Sequence, residues 1–160
     1  MKEELNEAMN RKGITLIELI IVLVIIAIGA ALMVPNFGAW MPHYRLRSAA
    51  RDLVSVMRVA QMKAVSNNLP YGVAFDPGTQ QFQLHRTTGG MPPDGPLNDL
   101  PTGVTFNSVS FPVDPTLNKP FVGFLPDSTA SADGTITLIN NKNTQKSIQV
   151  SKSTGRIRIP

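Results

Sequence analysis

The chain has 160 residues and a formal charge of +4, enough for one globular domain and one long anchoring element but not for two full domains. It has no cysteine, which excludes a disulfide framework and a thiolate metal site, and its two histidines, His43 and His85, stand far apart with no metal-ligand spacing. No close acidic pair accompanies them, so no catalytic constellation can be assembled; the chain does not read as an enzyme, and no metal or cofactor is expected.

The first thirteen residues carry Lys2, Arg11 and Lys12 against Glu3, Glu4 and Glu7, and so cancel in charge. The run Ile14 to Val34 that follows, ITLIELIIVLVIIAIGAALMV, is 21 residues long with Glu18 as its only charge. A bilayer core of about 30 Å takes about 20 apolar residues in a helix, so 14–34 predicts a membrane span. Arg11 and Lys12 directly before it favour a cytoplasmic N-terminus and an outward-facing remainder. A secretory signal peptide fits less well, because its apolar region is shorter and its small-residue cleavage site lies beyond that region. A plain anchor leaves Glu18 without a reason. An acidic group deep in a membrane helix costs about 2.5–3.5 kcal/mol on insertion scales and normally has a partner. The span supplies none, so the partner is expected from another copy or subunit.

The segment Arg11-Lys12-Gly13-Ile14-Thr15-Leu16-Ile17-Glu18-Leu19 closely resembles the processing and methylation motif of type IV prepilins and type II secretion pseudopilins. The resemblance implies a leader of residues 1–13, cleavage by a membrane prepilin peptidase between Gly13 and Ile14, and methylation of the new N-terminus at Ile14. Ile14 stands where phenylalanine is more usual. Glu18 falls at the fifth mature position, where family members pair it with a neighbouring subunit's N-terminal amine during assembly. The implied location is the bacterial inner membrane, single-pass, with a periplasmic C-terminal domain that later joins a pilus or pseudopilus. Other pilin or pseudopilin subunits are the implied partners.

Pro35 and Pro42, with Gly38 between them, predict a kink or a short melted stretch. Within 35–69, Leu46, Ala49, Ala50, Leu53, Met57, Ala60 and Ala64 recur at helical spacing and form one apolar stripe, with Arg47, Arg51 and Arg58 largely off it. The stripe is expected to pack on a sheet, and the arginines to form a solvated face. Asn67, Asn68 and Pro70 end the helix. From 70 to 160 the pattern turns to β. Tyr71–Phe75 and Gln80–Arg86 flank Asp76-Pro77-Gly78-Thr79, a hairpin signal. The proline- and glycine-rich stretch from Thr87 to Gly103 reads as a long loop. Val104–Phe111, Phe121–Leu125, Thr135–Ile139, Ser147–Ser151 and Arg156–Ile159 are further strands. The fold class is α+β, a long N-terminal helix laid on a mostly antiparallel sheet, which is also the pilin-like fold that the resemblance implies.

Ala49-Ala50-Arg51-Asp52-Leu53, Phe124-Leu125-Pro126-Asp127, Gly134-Thr135-Ile136-Thr137-Leu138 and the closing Ser151 to Arg158 resemble the minor pilins and pseudopilins of the GspH/FimT group. That group holds two classes. One is a structural part at the tip of a secretion pseudopilus; in the other, FimT-like pilins bind DNA for uptake through a Gly-Arg-x-Arg motif. Here the motif reads Gly155-Arg156-Ile157-Arg158. From Asn140 onward there are five basic residues and no acidic one. In a strand, Arg156 and Arg158 share one face while Ile157 and Ile159 take the other. Gly155 suits a turn that sets the strand's start. Two guanidinium groups about 7 Å apart, with Lys152 before the turn, suit contacts to neighbouring phosphates of double-stranded DNA. Lys142 and Lys146 extend the patch if strand order brings them alongside. Three readings stay open: a DNA-binding pilin, a GspH-like pseudopilin with a priming role, and a minor pilin with no DNA ligand. In the last two the arginines are a solvated edge that discourages aggregation, or pair with Asp127 or Asp133.

Overall fold

The computed structural model describes residues 14–160, with the backbone alone at 32–39. The leader 1–13, Gly13 included, lies outside the described residues. The chain divides into two compact units, one ending at Ala39 and the other spanning Trp40–Pro160.

Helix α1 covers Leu16–Asn67. Thr15 caps it: its hydroxyl accepts the Glu18 N–H at 3.3 Å, and its carbonyl accepts the Leu19 N–H at 3.2 Å. Helical backbone is kept through Pro35 and Pro42, so the melted stretch expected there is not found. A proline removes one N–H donor and crowds one carbonyl, and flanking turns that keep their own bonds can carry the helix past it. Among the described residues no helix is long and apolar enough to cross a membrane; the side chains at 32–39, which include the end of the expected 14–34 span, lie outside them. Those described from Ile14 to Ile28 are predominantly large, apolar and exposed.

In the second unit, every member of the expected stripe (Leu46, Ala49, Ala50, Leu53, Met57, Ala60, Ala64) is buried, joined by Val54. Arg47, Arg51 and Arg58 are exposed, as the spacing predicts. Nine strands follow: β1 Tyr71–Asp76, β2 Gln81–Arg86, β3 Pro93–Asp99, β4 Val104–Val109, β5 Val113–Asp114, β6 Lys119–Phe124, β7 Gly134–Asn140, β8 Gln145–Val150 and β9 Ile157–Arg158. All pair antiparallel. They form two sheets where one was expected, in the orders β3-β2-β1-β6-β5 and β4-β7-β8-β9. One apolar cluster joins the α1 stripe to inward residues of both sheets, among them Val73, Phe75, Val122 and Phe124 from the first and Phe106, Ile136, Leu138 and Ile148 from the second.

The hairpin signal at Asp76-Pro77-Gly78-Thr79 is met. Asp76 Oδ1 accepts the N–H groups of Gly78 and Thr79, and the β1–β2 register starts at Asp76↔Gln81. The other carboxylate oxygen of Asp76 lies 2.8 Å from Lys119 Nζ on β6. The Lys119 ammonium first, and the Thr79 amide second, hold the Asp76 carboxyl down from its ordinary 3.8 to about 2.

The stretch from Thr87 to Gly103 is not wholly a loop, because β3 lies within it. Pro93 and Pro96 make that segment look unlike a strand, yet β3 is the outer strand of its sheet and pairs only with β2. An edge strand needs ladder bonds on one side alone, so it tolerates proline, and a register shift between Gln83 and His85 absorbs the irregularity. Val104–Phe111 is shorter than expected, ending at Val109. Phe111 is buried beyond the strand.

Candidate functional site

The C-terminal strand β9 lies at the edge of the second sheet, paired with β8 through Gln149↔Arg158 and Val150↔Ile157. Ile157 is buried in the core, Ile159 packs against it, and Arg156 and Arg158 are exposed. The alternation expected from sequence is therefore present. The Nε–H and Nη2–H of Arg158 both donate to Gln149 Oε1, at 3.2 and 3.0 Å. A guanidinium carries five N–H donors, so this fork fixes its orientation and leaves three for a ligand. Gln149 is a site residue that sequence reasoning missed. Its only signal was its place on the outward face of β8, and the partner across the ladder is set by register.

Lys152, Gly155 and Arg156 lie in the turn from β8 to β9 and Arg158 on β9 itself; Arg156 and Arg158 line one groove, and Lys152 is exposed outside its lining. The Lys152 N–H donates to Asp133 Oδ1 at 2.8 Å, and the Lys152 carbonyl accepts the Ala130 N–H at 2.9 Å. The groove, of about 480 Å³, runs along this edge, lined by Thr135, Gln149, Thr154, Arg156 and Arg158, with Asp133 in its wall. The alternative pairing of the arginines with Asp127 or Asp133 is not among the ion pairs of the described residues. The Asp127 carboxylate is taken by the Thr129 hydroxyl and N–H, which lower its pKa. The ion pairs among the described residues are Lys63–Asp94 and Lys119–Asp76.

The condition set for a wider basic patch is not met. Lys142 and Lys146 do not extend the patch: Lys146 lies near the start of β8 and Lys152 just beyond its end, about 20 Å apart in an extended strand. Gly155 lies in the turn before β9, the place expected for it. It has φ +59, and a Cβ there would lie 1.9 Å from the Ser128 carbonyl oxygen and 2.7 Å from Gln61 Nε2. Gln61 of α1 donates to the carbonyls of both Ser128 and Gly155, at 2.8 and 3.3 Å. The helix thus anchors the turn that launches the two arginines. Nothing in the helical pattern marks Gln61 for this, since its partners lie 67 and 94 residues away.

In the other unit, Ile14 and Glu18 are exposed, Glu18 standing in the first turn of α1. Thr15 and Glu18 have the spacing of a capping box, and the helix starts at Leu16, two residues after the expected cleavage point.

A capped N-terminal helix with an exposed apolar run, and a helix stripe packed on antiparallel sheets, define a pilin-like subunit. The chain belongs to the GspH family: residues 49–154 match the family model described as type II transport protein GspH, and residues 8–34 match the prokaryotic N-terminal methylation motif. Among solved structures, the minor pseudopilin EpsH of the Vibrio cholerae type 2 secretion system is similar in fold. It has 12% identity and a TM-score of 0.59, over 72% of this chain and 96% of that one. The Pseudomonas aeruginosa type IV minor pilin FimU shares 16% identity over 74% of this chain and 90% of its own, with a TM-score of 0.58. Escherichia coli GspH shares 15% over 73% and 88%, again at 0.58. No curated protein matches the chain. The GspH match stops at Thr154, one residue short of Gly155.

Proposed function

We propose that the protein is a FimT-like minor type IV pilin that binds double-stranded DNA without sequence preference through Arg156, Arg158 and Lys152. The observation that carries this reading is the pair of exposed arginines on one sheet edge, neither engaged by a carboxylate among the described residues and one aimed by Gln149. Such contacts address phosphates, so affinity falls steeply with salt and hardly varies with sequence. The test is binding of duplexes of unrelated sequence to the Trp40–Pro160 unit across a salt series. Wild type is expected to bind all of them at low salt. Arg156→Ala/Arg158→Ala is expected to lose binding by at least tenfold with its circular dichroism spectrum unchanged. Equal binding by the double variant would remove these residues from the contact.

Within the same reading, residues 14–34 span the inner membrane with the N-terminus cytoplasmic, and residues 70–160 form the periplasmic domain. The peptidase cuts between Gly13 and Ile14. Glu18 pairs with the N-terminal amine of a neighbouring subunit. Support comes from the methylation-motif match and from the helix cap at Thr15. Intact-mass and fragment spectra of protein extracted from membranes are expected to begin at an N-methylated Ile14. A mature chain that still starts at Met1 would refute the processing step.

A second reading, a structural pseudopilin of a type II secretion system, is favoured by the description of the matched family and by the EpsH and GspH folds. It predicts no duplex binding at any salt concentration.

A further inference from the structure

Within the Trp40–Pro160 unit, the start of the α1 segment and the β7–β8 turn enclose a second groove, of about 330 Å³. Trp40, His43, Tyr44 and Arg47 line it from the helix, and Thr144 and Lys146 from the strand side. The rings of Trp40 and Tyr44 lie 5.4 Å apart and are 60% and 54% exposed, which is costly in water for two large rings. No acidic residue lines the groove, and neither Arg47 nor Lys146 joins an ion pair among the described residues. Asn140 Oδ1 accepts the N–H groups of Lys142 and Thr144, which fixes the turn and places Lys142, a further exposed cation, beside the groove.

Exposed aromatic rings with a polar tip, set beside unpaired cations, are the composition of a surface that rests at a membrane–water boundary. A purely apolar protein partner would leave Arg47 and Lys146 unanswered, and a purely acidic one would leave the rings unused. Chain connectivity points the same way: Trp40 follows Val34 by six residues, which reach at most about 20 Å in any conformation. We infer that this groove is a docking site for anionic phospholipid headgroups, seating the globular unit on the bilayer while residues 14–34 are embedded. The inference rests on the reading of 14–34 as a span. Arg47 and Lys146 contact lipid phosphates, and the Trp40 and Tyr44 rings sit at headgroup level.

Trp40 is the only tryptophan of the chain, so its fluorescence reports on this groove. The full chain would be reconstituted in neutral phosphatidylcholine vesicles and in vesicles containing phosphatidylglycerol. Trp40 emission and its quenching by brominated lipid would then be measured at low and high salt. The expected result is a blue shift and quenching that need the anionic lipid and weaken with salt. In Arg47→Gln/Lys146→Gln, the ratio of docked to undocked protein should fall roughly 25-fold, about fivefold per cation. Equal Trp40 signals in both kinds of vesicle, or an unchanged response in the double variant, would overturn the docking site. A separate alkaline carbonate wash tests the span: protein released by it refutes the embedded 14–34 segment and the docking with it. Protein that is retained while Trp40 ignores lipid charge refutes the docking alone.

Discussion

Gly155→Ala is expected to destabilise the Trp40–Pro160 unit by about 3–5 kcal/mol and to lower its melting temperature by about 10 °C or more. Part of the effect is conformational: Gly155 has φ +59, a region that costs a residue with a Cβ about 1–2 kcal/mol. The larger part is steric. The added methyl would stand 1.9 Å from the carbonyl oxygen of Ser128, a backbone atom that cannot swing aside as a side chain does. Ser128 is itself held at φ +68, and its carbonyl is the acceptor for Gln61. Moving it breaks the shorter of the two bonds by which Gln61 ties α1 to these turns, and a part-buried amide that loses a partner costs about 1–3 kcal/mol. Gly155→Asn separates the two causes. Asparagine tolerates positive φ, so pure strain would make it nearly harmless, whereas a clash makes it as damaging as alanine. Thermal unfolding followed by circular dichroism decides, and a loss below about 1 kcal/mol for both variants would show that the junction relaxes freely. DNA binding lost in a Gly155 variant would reflect this junction, which is why the two arginines are the proper test of the contact.

Phe75→Ala should cost a similar amount, about 3–5 kcal/mol. Phe75 is fully buried on β1 of the first sheet. Its ring stacks on Phe111 with centroids 5.8 Å apart and meets Phe106 of β4 edge-on at 6.2 Å. It therefore bridges the two sheets, and truncation leaves a cavity where both sheets and the α1 stripe converge. Each aromatic pair adds about 0.5–1.5 kcal/mol beyond area burial. Phe75→Leu refills most of the volume and should recover more than half of the loss. Urea unfolding of the Trp40–Pro160 unit would measure both. A cost under about 1.5 kcal/mol for the alanine variant would mean that the sheets are joined mainly elsewhere.

Much of this was written in local pattern. The α1 stripe from Leu46 to Ala64 could be read directly, because the spacing that makes a helix amphipathic is the spacing of its buried face. The Asp76-Pro77-Gly78-Thr79 hairpin was legible for the same reason, its bonds lying within a few residues of one another. Strand β3 was not legible. Its prolines argue against a strand in isolation, and only its place at a sheet edge makes them harmless. The division into two sheets was equally hidden, since β4 leaves the first sheet for the second and β6 returns to pair with β1.

At the candidate sites the same line separates what was legible from what was not. The N-terminal motif from Arg11 to Leu19 and the alternation of Arg156, Ile157, Arg158 and Ile159 follow from residue type and spacing alone. Tertiary structure decided which charges meet. Register set Arg158 against Gln149, strand length carried Lys146 away from Lys152 and towards Trp40, and the fold brought Gln61 and Ser128 around Gly155. Local sequence determines short-range geometry because backbone periodicity is fixed chemistry. Which distant side chains become neighbours depends on how buried apolar faces stack, and that is a property of the whole chain at once.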